Sequence, residues 1–339
     1  MLKLVTAGVG DIRTDHAMGA LRRLLPGLLV VAATAAVAIA AGRLWALPPM
    51  LVALLIGLAV AQWRPAIGAE AGVAFSAKTL LRAGIVLLGA RISVGDIAAI
   101  GVMPFLTVAL ALPATILFGL ALARMLGRDA GFGLLTGSSV AVCGASAALA
   151  VSTVLARRGD AEERLCGVVA VVTVLSSLAM LSYPPLLAAM GFGAAETGVV
   201  LGATIHDVGQ VVAAGYSVSE ETGDVATVVK LARVMLLPVV VVVLAAALAG
   251  GGGAGQPGTG FPLFILGFLG LVLVNSLGLL PEAVVSAMSA LSGAALVAAI
   301  AAIGLRTKLA KVLGFGWMLP AVLLGETLFL AALVTLLWL

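Results

Sequence analysis

Long apolar runs recur along this sequence and restrict its fold more than any other feature does. From Leu24 to the C-terminus these runs are about 16 to 25 residues long, and a helix of about 20 apolar residues crosses the hydrocarbon core of a bilayer. Of the 339 residues, 63% are hydrophobic and 10% are charged, whereas soluble chains carry about 25% charged residues. The sequence therefore predicts an all-α integral membrane protein.

About eleven transmembrane helices are predicted, with loops too short for a soluble domain, so residues 1–339 are expected to form a single polytopic domain. Residues 1–23 precede the spans, and residues 250–260 form a glycine-rich loop that is expected to be flexible. Loops on one side hold twelve of the 19 Lys and Arg residues, which predicts a cytoplasmic N-terminus. The predicted spans are 24–41, 47–63, 73–90, 100–124, 132–155, 165–183, 197–216, 226–248, 262–277, 283–305 and 316–339.

An internal repeat aligns residues 76–124 with residues 291–339 at a constant offset of 215 (304 − 89). The paired spans are seven apart in the predicted order and so run in opposite directions. Inverted repeats of this kind are typical of secondary transporters. Chance similarity between two Leu/Ala/Gly-rich helices is the alternative. The matching positions are Gly89, Arg91, Gly101 and Met103 with Gly304, Arg306, Gly316 and Met318.

Two polar, glycine-punctuated segments, 132–155 and 197–216, interrupt otherwise apolar spans and are predicted to be broken helices. Free N–H groups and the positive dipole end of a half-helix would bind an anion without a basic side chain. Tight Gly/Ser packing, or a polar helix end at the membrane interface, is the structural alternative. The candidate substrate-binding residues are Ser138, Ser139, Cys143, Gly144, Ser146, Thr204 and Gln210.

Ionisable residues inside the spans are candidates for coupling and for attracting an anion, since burying them is costly. His206, Asp207 and the mid-span Glu326 could hold a coupling proton or ion, and Glu326 could equally be a hydrogen-bonded structural group. Lys230 and Arg233, three apart on one helical face, could draw an anion inward or could snorkel to the interface as topology anchors. Arg82 is grouped with them as an anion-attracting residue.

Motifs for catalysis, ATP hydrolysis and metal binding are missing from the sequence. It has two histidines and two cysteines, and it contains no His-Glu-x-x-His, no Gly-x-Ser-x-Gly and no Walker glycine loop. Cys143 and Cys166 lie in or beside apolar segments, which favours two small buried residues over a disulfide. We therefore expect neither an enzyme nor a metal site, and no cofactor beyond a coupling proton or sodium ion.

Five motifs together give the chain a resemblance to the YeiH-type family of bacterial inner-membrane proteins, which are described as sulfate exporters. The resemblance covers most of the length and implies a fold similar to the bile-acid symporter and NhaA-like transporters, with discontinuous helices that cross near the bilayer centre. Two residues depart from the family pattern: Asp207 stands where glutamate is common, and Glu326 lies in a span expected to be apolar. The motifs occupy residues 81–91, 142–147, 202–215, 229–234 and 304–307.

The resemblance implies that the protein exports sulfate, sulfite or a related sulfonate by alternating access. The substrate site would lie between the two polar segments, with proton or sodium coupling. An organic-acid or sodium-symporter-like transporter on the same fold is the nearest alternative, and a passive channel or a membrane-embedded enzyme is more distant. The expected partners are the small anion and the lipid bilayer, without nucleic acid, and a homodimer is one assembly open to such a protein.

Overall fold

A computed structural model describes residues 3–45, 47–63, 68–155, 161–249, 263–307 and 316–339, and within them every regular element is helical. A π-helical turn, Ser76–Leu80, joins α3 to α4. The predicted glycine-rich loop 250–260 lies outside the described residues. The helices are α1 Lys3–Trp45, α2 Pro49–Trp63, α3 Glu70–Phe75, α4 Leu81–Leu88, α5 Val94–Ile100, α6 Met103–Met125, α7 Ala130–Ala141, α8 Ala145–Ser152, α9 Ala161–Ala189, α10 Ala194–Thr204, α11 Val208–Val218, α12 Glu220–Met235, α13 Leu237–Ala249, α14 Leu263–Ser276, α15 Glu282–Arg306 and α16 Met318–Trp338.

Helix length and composition agree with a multi-pass membrane protein. In the described part of the chain, seven helical stretches are long and apolar enough to cross a membrane, and shorter apolar helices accompany them. This confirms the predicted fold class, while the number and orientation of the spans stay predictions. The seven stretches are Arg23–Leu44, Glu70–Leu88, Met103–Met125, Glu163–Ala189, Glu220–Leu248, Glu282–Arg306 and Met318–Trp338.

The first of two compact units comprises the described residues of 1–84 and 293–307. Glycine lets its helices approach closely: a Cβ added at Gly57 would lie 2.6 Å from the carbonyl oxygen of Ala301. Small residues at such contacts are typical of helix packing in membranes, where close van der Waals contact drives association. A buried cluster completes the packing and consists of Ala35, Ala38, Ala53, Val297 and Ala301.

The second unit comprises the described residues of 85–292 and 316–339 and contains every sequence-predicted site residue except Arg82. Its helices also pack through glycine. A Cβ at Gly202 of α10 would lie 2.6 Å from the carbonyl oxygen of Ala226 on α12, and one at Gly133 of α7 would lie 2.8 Å from that of Gly119 on α6. These contacts hold α7 and α10, the first halves of the two interrupted helices, tightly against their neighbours.

Two glycines at matching positions of the predicted repeat both have a positive φ. Gly101 and Gly316, which are 215 residues apart, both have a positive φ, 77° and 70°. Helices α6 and α16 each begin two residues later, at Met103 and Met318. The inverted orientation of the repeat stays a prediction.

Candidate functional site

The first interrupted helix consists of α7 and α8, which are separated by residues 142–144. Gly144 has a φ of 62°, a left-handed conformation that strains any residue with a side chain, so glycine lets the chain turn between the two halves. The break is braced by Ser139, whose hydroxyl donates to the carbonyl of Gly144 at 3.0 Å, and by the Gly144 N–H, which donates to the carbonyl of Ser139 at 2.8 Å. At its N-terminus α8 has no side-chain cap.

The second interrupted helix consists of α10 and α11, which are separated by residues 205–207. Ile205 is extended, and Asp207 caps α11, with its carboxylate accepting from the Gly209 N–H at 2.8 Å. The Asp207 N–H donates to the hydroxyl of Ser176 on α9 at 3.0 Å. The structure thus interrupts both segments for which the sequence predicts a broken helix.

The two breaks meet at Lys230 of α12. Its ammonium group donates to the carbonyl of Val142 in the first break at 3.0 Å and to that of Ile205 in the second at 2.6 Å. Lys230 is fully buried. The C-terminal end of a half-helix carries negative partial charge on its unpaired carbonyls, so one cation stabilises two such ends.

Arg233, one turn further along α12, completes this arrangement. Its Nε donates to the carbonyl of Ala141 at 2.5 Å and its Nη1 to that of Ile205 at 3.3 Å, while its Nη2 donates to the carbonyl of Val140. Arg233 is 1% exposed, so the snorkelling alternative for these two residues is wrong. Their role in the structure is to pair carbonyls that the helix breaks leave without intrahelical donors.

His206, in the second break, contacts α16. Its Nε2 lies 3.0 Å from the hydroxyl of Thr327, which donates its own proton to the carbonyl of Leu323 at 2.7 Å. The Thr327 hydroxyl can also turn to donate to Nε2, so the direction of this bond depends on the tautomer of the ring, whose other nitrogen is Nδ1. That nitrogen is buried and has no partner among the described residues.

Other buried polar atoms of this unit also lack partners. Gln210 donates from Nε2 to the hydroxyl of Ser177 at 2.7 Å, which leaves Oε1 unpaired. The hydroxyl of Ser138 and Oε2 of Glu326 complete the set within the described residues. Buried polar atoms are nearly always hydrogen-bonded, so an unpaired group of this kind points to a bound water, ion or ligand.

Glu326 lies in the middle of α16 and is fully buried. The hydroxyl of Thr136 on α7 is 2.7 Å from its Oε1. A Cβ added at Gly119 of α6 would also come within 2.7 Å of Oε1, so glycine makes room for the carboxyl group there. Glu326 is thereby joined to the half-helix that leads into the first break.

The structure brings some of the sequence-predicted site residues together and separates others. Cys143 and Gly144 lie in the first break, buried, while Thr204 ends α10 and bonds back to the carbonyl of Val200 at 2.5 Å. Ser146 is exposed on α8, and Arg82 is exposed in the first compact unit. Among the described residues, no group of three or more His, Cys, Asp or Glu side chains is placed to hold a metal ion.

Sequence reasoning missed four hydroxyl residues that organise this region: Thr136, Ser176, Ser177 and Thr327. Each is a polar residue inside an apolar span, and Thr327 directly follows Glu326. Ser and Thr are common in membrane helices as packing residues, so their presence alone does not distinguish them. Only the positions of the breaks show which hydroxyls matter.

Comparisons with known proteins identify the family. A family model described as Conserved hypothetical protein 698 matches residues 26–322. The chain is 47% identical over 323 residues to UPF0324 membrane protein TauZ of Paracoccus pantotrophus, covering 94% of this chain and 95% of that protein. It is 43% identical over 316 residues to UPF0324 membrane protein CT0845 of Chlorobaculum tepidum, covering 92% of this chain and 88% of that protein.

No solved structure matches the chain. The similarity to the bile-acid symporter and NhaA-like folds that the motifs implied therefore stays a prediction. The family itself, which the same motifs indicated, is confirmed by the extent and identity of these matches. The chain belongs to the UPF0324 family of membrane proteins.

Proposed function

We propose that this protein is a secondary transporter of the bacterial inner membrane that exports a small oxyanion or sulfonate by alternating access. The observation that carries the proposal is the meeting of two helix breaks at Lys230 and Arg233. The carbonyl ends of α7 and α10 are paired with these cations. The opposite charge, the positive N-terminal end of α8, is left for a ligand.

The chemistry at the first turn of α8 favours an anion. Gly144 occupies the N-cap and has no side chain that could accept from the first N–H groups of the helix. The Ser138 hydroxyl, buried and unpartnered, is a further donor close in sequence to the break. Two buried cations supply net positive charge nearby, which stabilises an anion more strongly in a low-dielectric interior than in water.

Burial of the polar side chains beside the two helix breaks supports a carrier over an open channel. Ser138, His206 and Gln210 are all fully buried, so a ligand reaches them only after helices move. Discontinuous helices whose ends line a binding site are typical of secondary transporters. The nearest alternative is an organic-acid transporter on the same fold, and a passive channel or a membrane-embedded enzyme is a more distant one.

Counterflow in proteoliposomes tests the proposal. Liposomes containing the purified protein are loaded with unlabelled sulfate, sulfite or a small sulfonate, and uptake of the labelled anion is followed. A carrier gives saturable, transient uptake, a channel gives uptake that does not saturate, and an enzyme changes the anion chemically. If no anion from this panel or from a panel of carboxylates moves, the transporter proposal is wrong.

Ser138→Ala locates the site. Its hydroxyl has no partner among the described residues, so the substitution should leave folding intact. A hydrogen bond to a charged ligand contributes about 1.5–3 kcal/mol, so the apparent affinity should fall by about ten- to a hundredfold. Ser182→Ala removes an exposed hydroxyl of α9 and is the matched control. Unchanged affinity in Ser138→Ala would place the ligand elsewhere.

A further inference from the structure

Glu326 is a buried acid that takes no part in the anion site proposed above. Among the described residues no Lys, Arg or His pairs with it, since the ion pairs there are those of Arg91 and Arg164. A carboxylate buried in a membrane helix without a cation is strongly disfavoured, and such residues commonly mark proton or ion paths. Its Oε2 is buried and unpartnered.

Thr136 can satisfy Glu326 in two different protonation states. Its hydroxyl is 2.7 Å from Oε1 of Glu326 and 3.1 Å from the carbonyl of Phe132. When Glu326 is neutral, its O–H donates to Thr136, and Thr136 donates to Phe132. When Glu326 is charged, Thr136 donates to the carboxylate instead, and the Phe132 carbonyl loses that donor. The hydrogen bonding of α7 therefore differs between the two states.

Helix α16 connects this acid to both breaks. Glu326 contacts Thr136, which lies three residues before Ser139, or about 4.5 Å along α7. The next residue, Thr327, is hydrogen-bonded to His206 in the second break. A change at the carboxyl group thus reaches both interrupted helices through two adjacent residues of one helix.

The other titratable groups on the neighbouring helices do not compensate Glu326. Helix α7 has none, Arg124 is exposed at the end of α6, and Glu196 is exposed at the start of α10. On α9 the charged residues Glu162, Glu163 and Arg164 lie near its start, and Arg164 pairs with Asp129 at 2.8 Å. Tyr183 lies in the last two turns of α9. His206 faces the same helix through its contact with Thr327, the residue next to Glu326.

We propose that Glu326 carries the coupling proton of this transporter, bound and released once per cycle together with the anion. The inference rests on the proposed anion transport. Protonation converts the carboxylate to a neutral acid and removes a negative charge near the anion site, so proton and anion binding favour one another. For a monovalent anion the loaded form then carries both in an electroneutral step. Net export runs when the outward anion gradient exceeds the inward proton gradient.

The coupling is tested with the full-length protein in liposomes clamped at zero membrane potential with potassium and valinomycin. An imposed gradient of one pH unit should drive about tenfold accumulation of labelled methanesulfonate, because one proton moves with each anion. An internal pH dye should report proton movement that starts with the anion. A sodium gradient should not replace the pH gradient, and if it does, or if the pH gradient drives no accumulation, proton coupling is overturned.

Glu326→Gln locates the proton. Glutamine keeps the size and the bond to Thr136 but cannot release a proton, so counterflow should persist while pH-driven accumulation falls to background. Glu221→Gln makes the same change at an exposed carboxyl of α12 and should behave as wild type. If Glu326→Gln still accumulates the anion, Glu326 is not the carrier of the proton. If wild type shows no counterflow with any anion, the transport proposal fails instead.

A second variant decides the question if Glu326→Gln does not fold. Thr136→Val removes the donor to the carboxylate and keeps the acid. Because a bond to a charged group is stronger than one to a neutral group, the pH at half-maximal transport should rise by about one unit. An unchanged pH profile in a folded Thr136→Val protein would overturn the assignment to Glu326.

Discussion

Arg233→Lys separates a structural role of Arg233 from a role in attracting the anion. Lysine keeps the positive charge at this buried position but has one nitrogen in place of the three that reach Val140, Ala141 and Ile205. The planar guanidinium is matched to several acceptors in a way that an ammonium is not. If Arg233 acted only as a distant charge, the substitution would change nothing.

The magnitude follows from the carbonyl left unpaired. The carbonyl of Ile205 keeps Lys230 as a donor, so a lysine that reaches only one of the carbonyls of Val140 and Ala141 leaves one buried acceptor without a partner, at a cost of about 1–3 kcal/mol. One such loss corresponds to about 2 kcal/mol, without the compensating gain that removal of a buried charge would give. In a chain of this size that is a fall of roughly 3 °C in Tm.

The assay is size-exclusion chromatography of detergent-solubilised protein after heating, with counterflow measured on the same preparation. Arg233→Lys should lose both thermal stability and transport rate. Arg124→Lys, the same change at an exposed position at the end of α6, should match wild type in both. A Tm and counterflow rate equal to wild type in Arg233→Lys would refute the view that the three-carbonyl contact holds the breaks together.

Two further predictions concern packing and charge. Gly202→Ala places a Cβ 2.6 Å from the Ala226 carbonyl, so Tm should fall by several degrees. The control is Gly270→Ala, whose Cβ would have nothing within 4 Å and which should be neutral in the same heating assay. Equal Tm values for the two variants would show that α10 can shift freely. Arg91→Gln breaks ion pairs with Asp224 at 2.9 Å and with the largely exposed Glu220 at 2.5 Å. The free energy of unfolding should therefore fall by about 1 kcal/mol or less in low salt and should not change in 1 M NaCl. A loss of stability that does not depend on salt would contradict this.

The sequence was sufficient to predict the two broken helices, because glycine and ionisable residues in apolar spans have few structural explanations. Gly144 and Asp207 are examples: one permits a left-handed turn and the other caps the following helix. These are local properties, set by a residue and its immediate neighbours. Local properties of this kind can be predicted without knowing which helices pack together.

The roles of Lys230 and Arg233 could not be predicted in the same way. Their spacing shows that they share a helical face but not what that face meets, and their partners are carbonyls about 25 and 90 residues away along the chain. A carbonyl is present in every residue, so no side-chain pattern marks it as an acceptor. The contact between Thr327 and His206, 121 residues apart, was missed for the same reason.

The placement of Lys230 and Arg233 on a single helix has a mechanical consequence. Both breaks are fastened to α12 by side chains one turn apart, and both share the carbonyl of Ile205 as an acceptor. Sliding one break past the other would pull at least one cation from its acceptors inside the protein. The free energy of an unpaired buried charge is several times the thermal energy, so this motion should be rare. The halves flanking the breaks should therefore travel as one rigid body with α12, and any opening of the site should come from motion of that body against other helices.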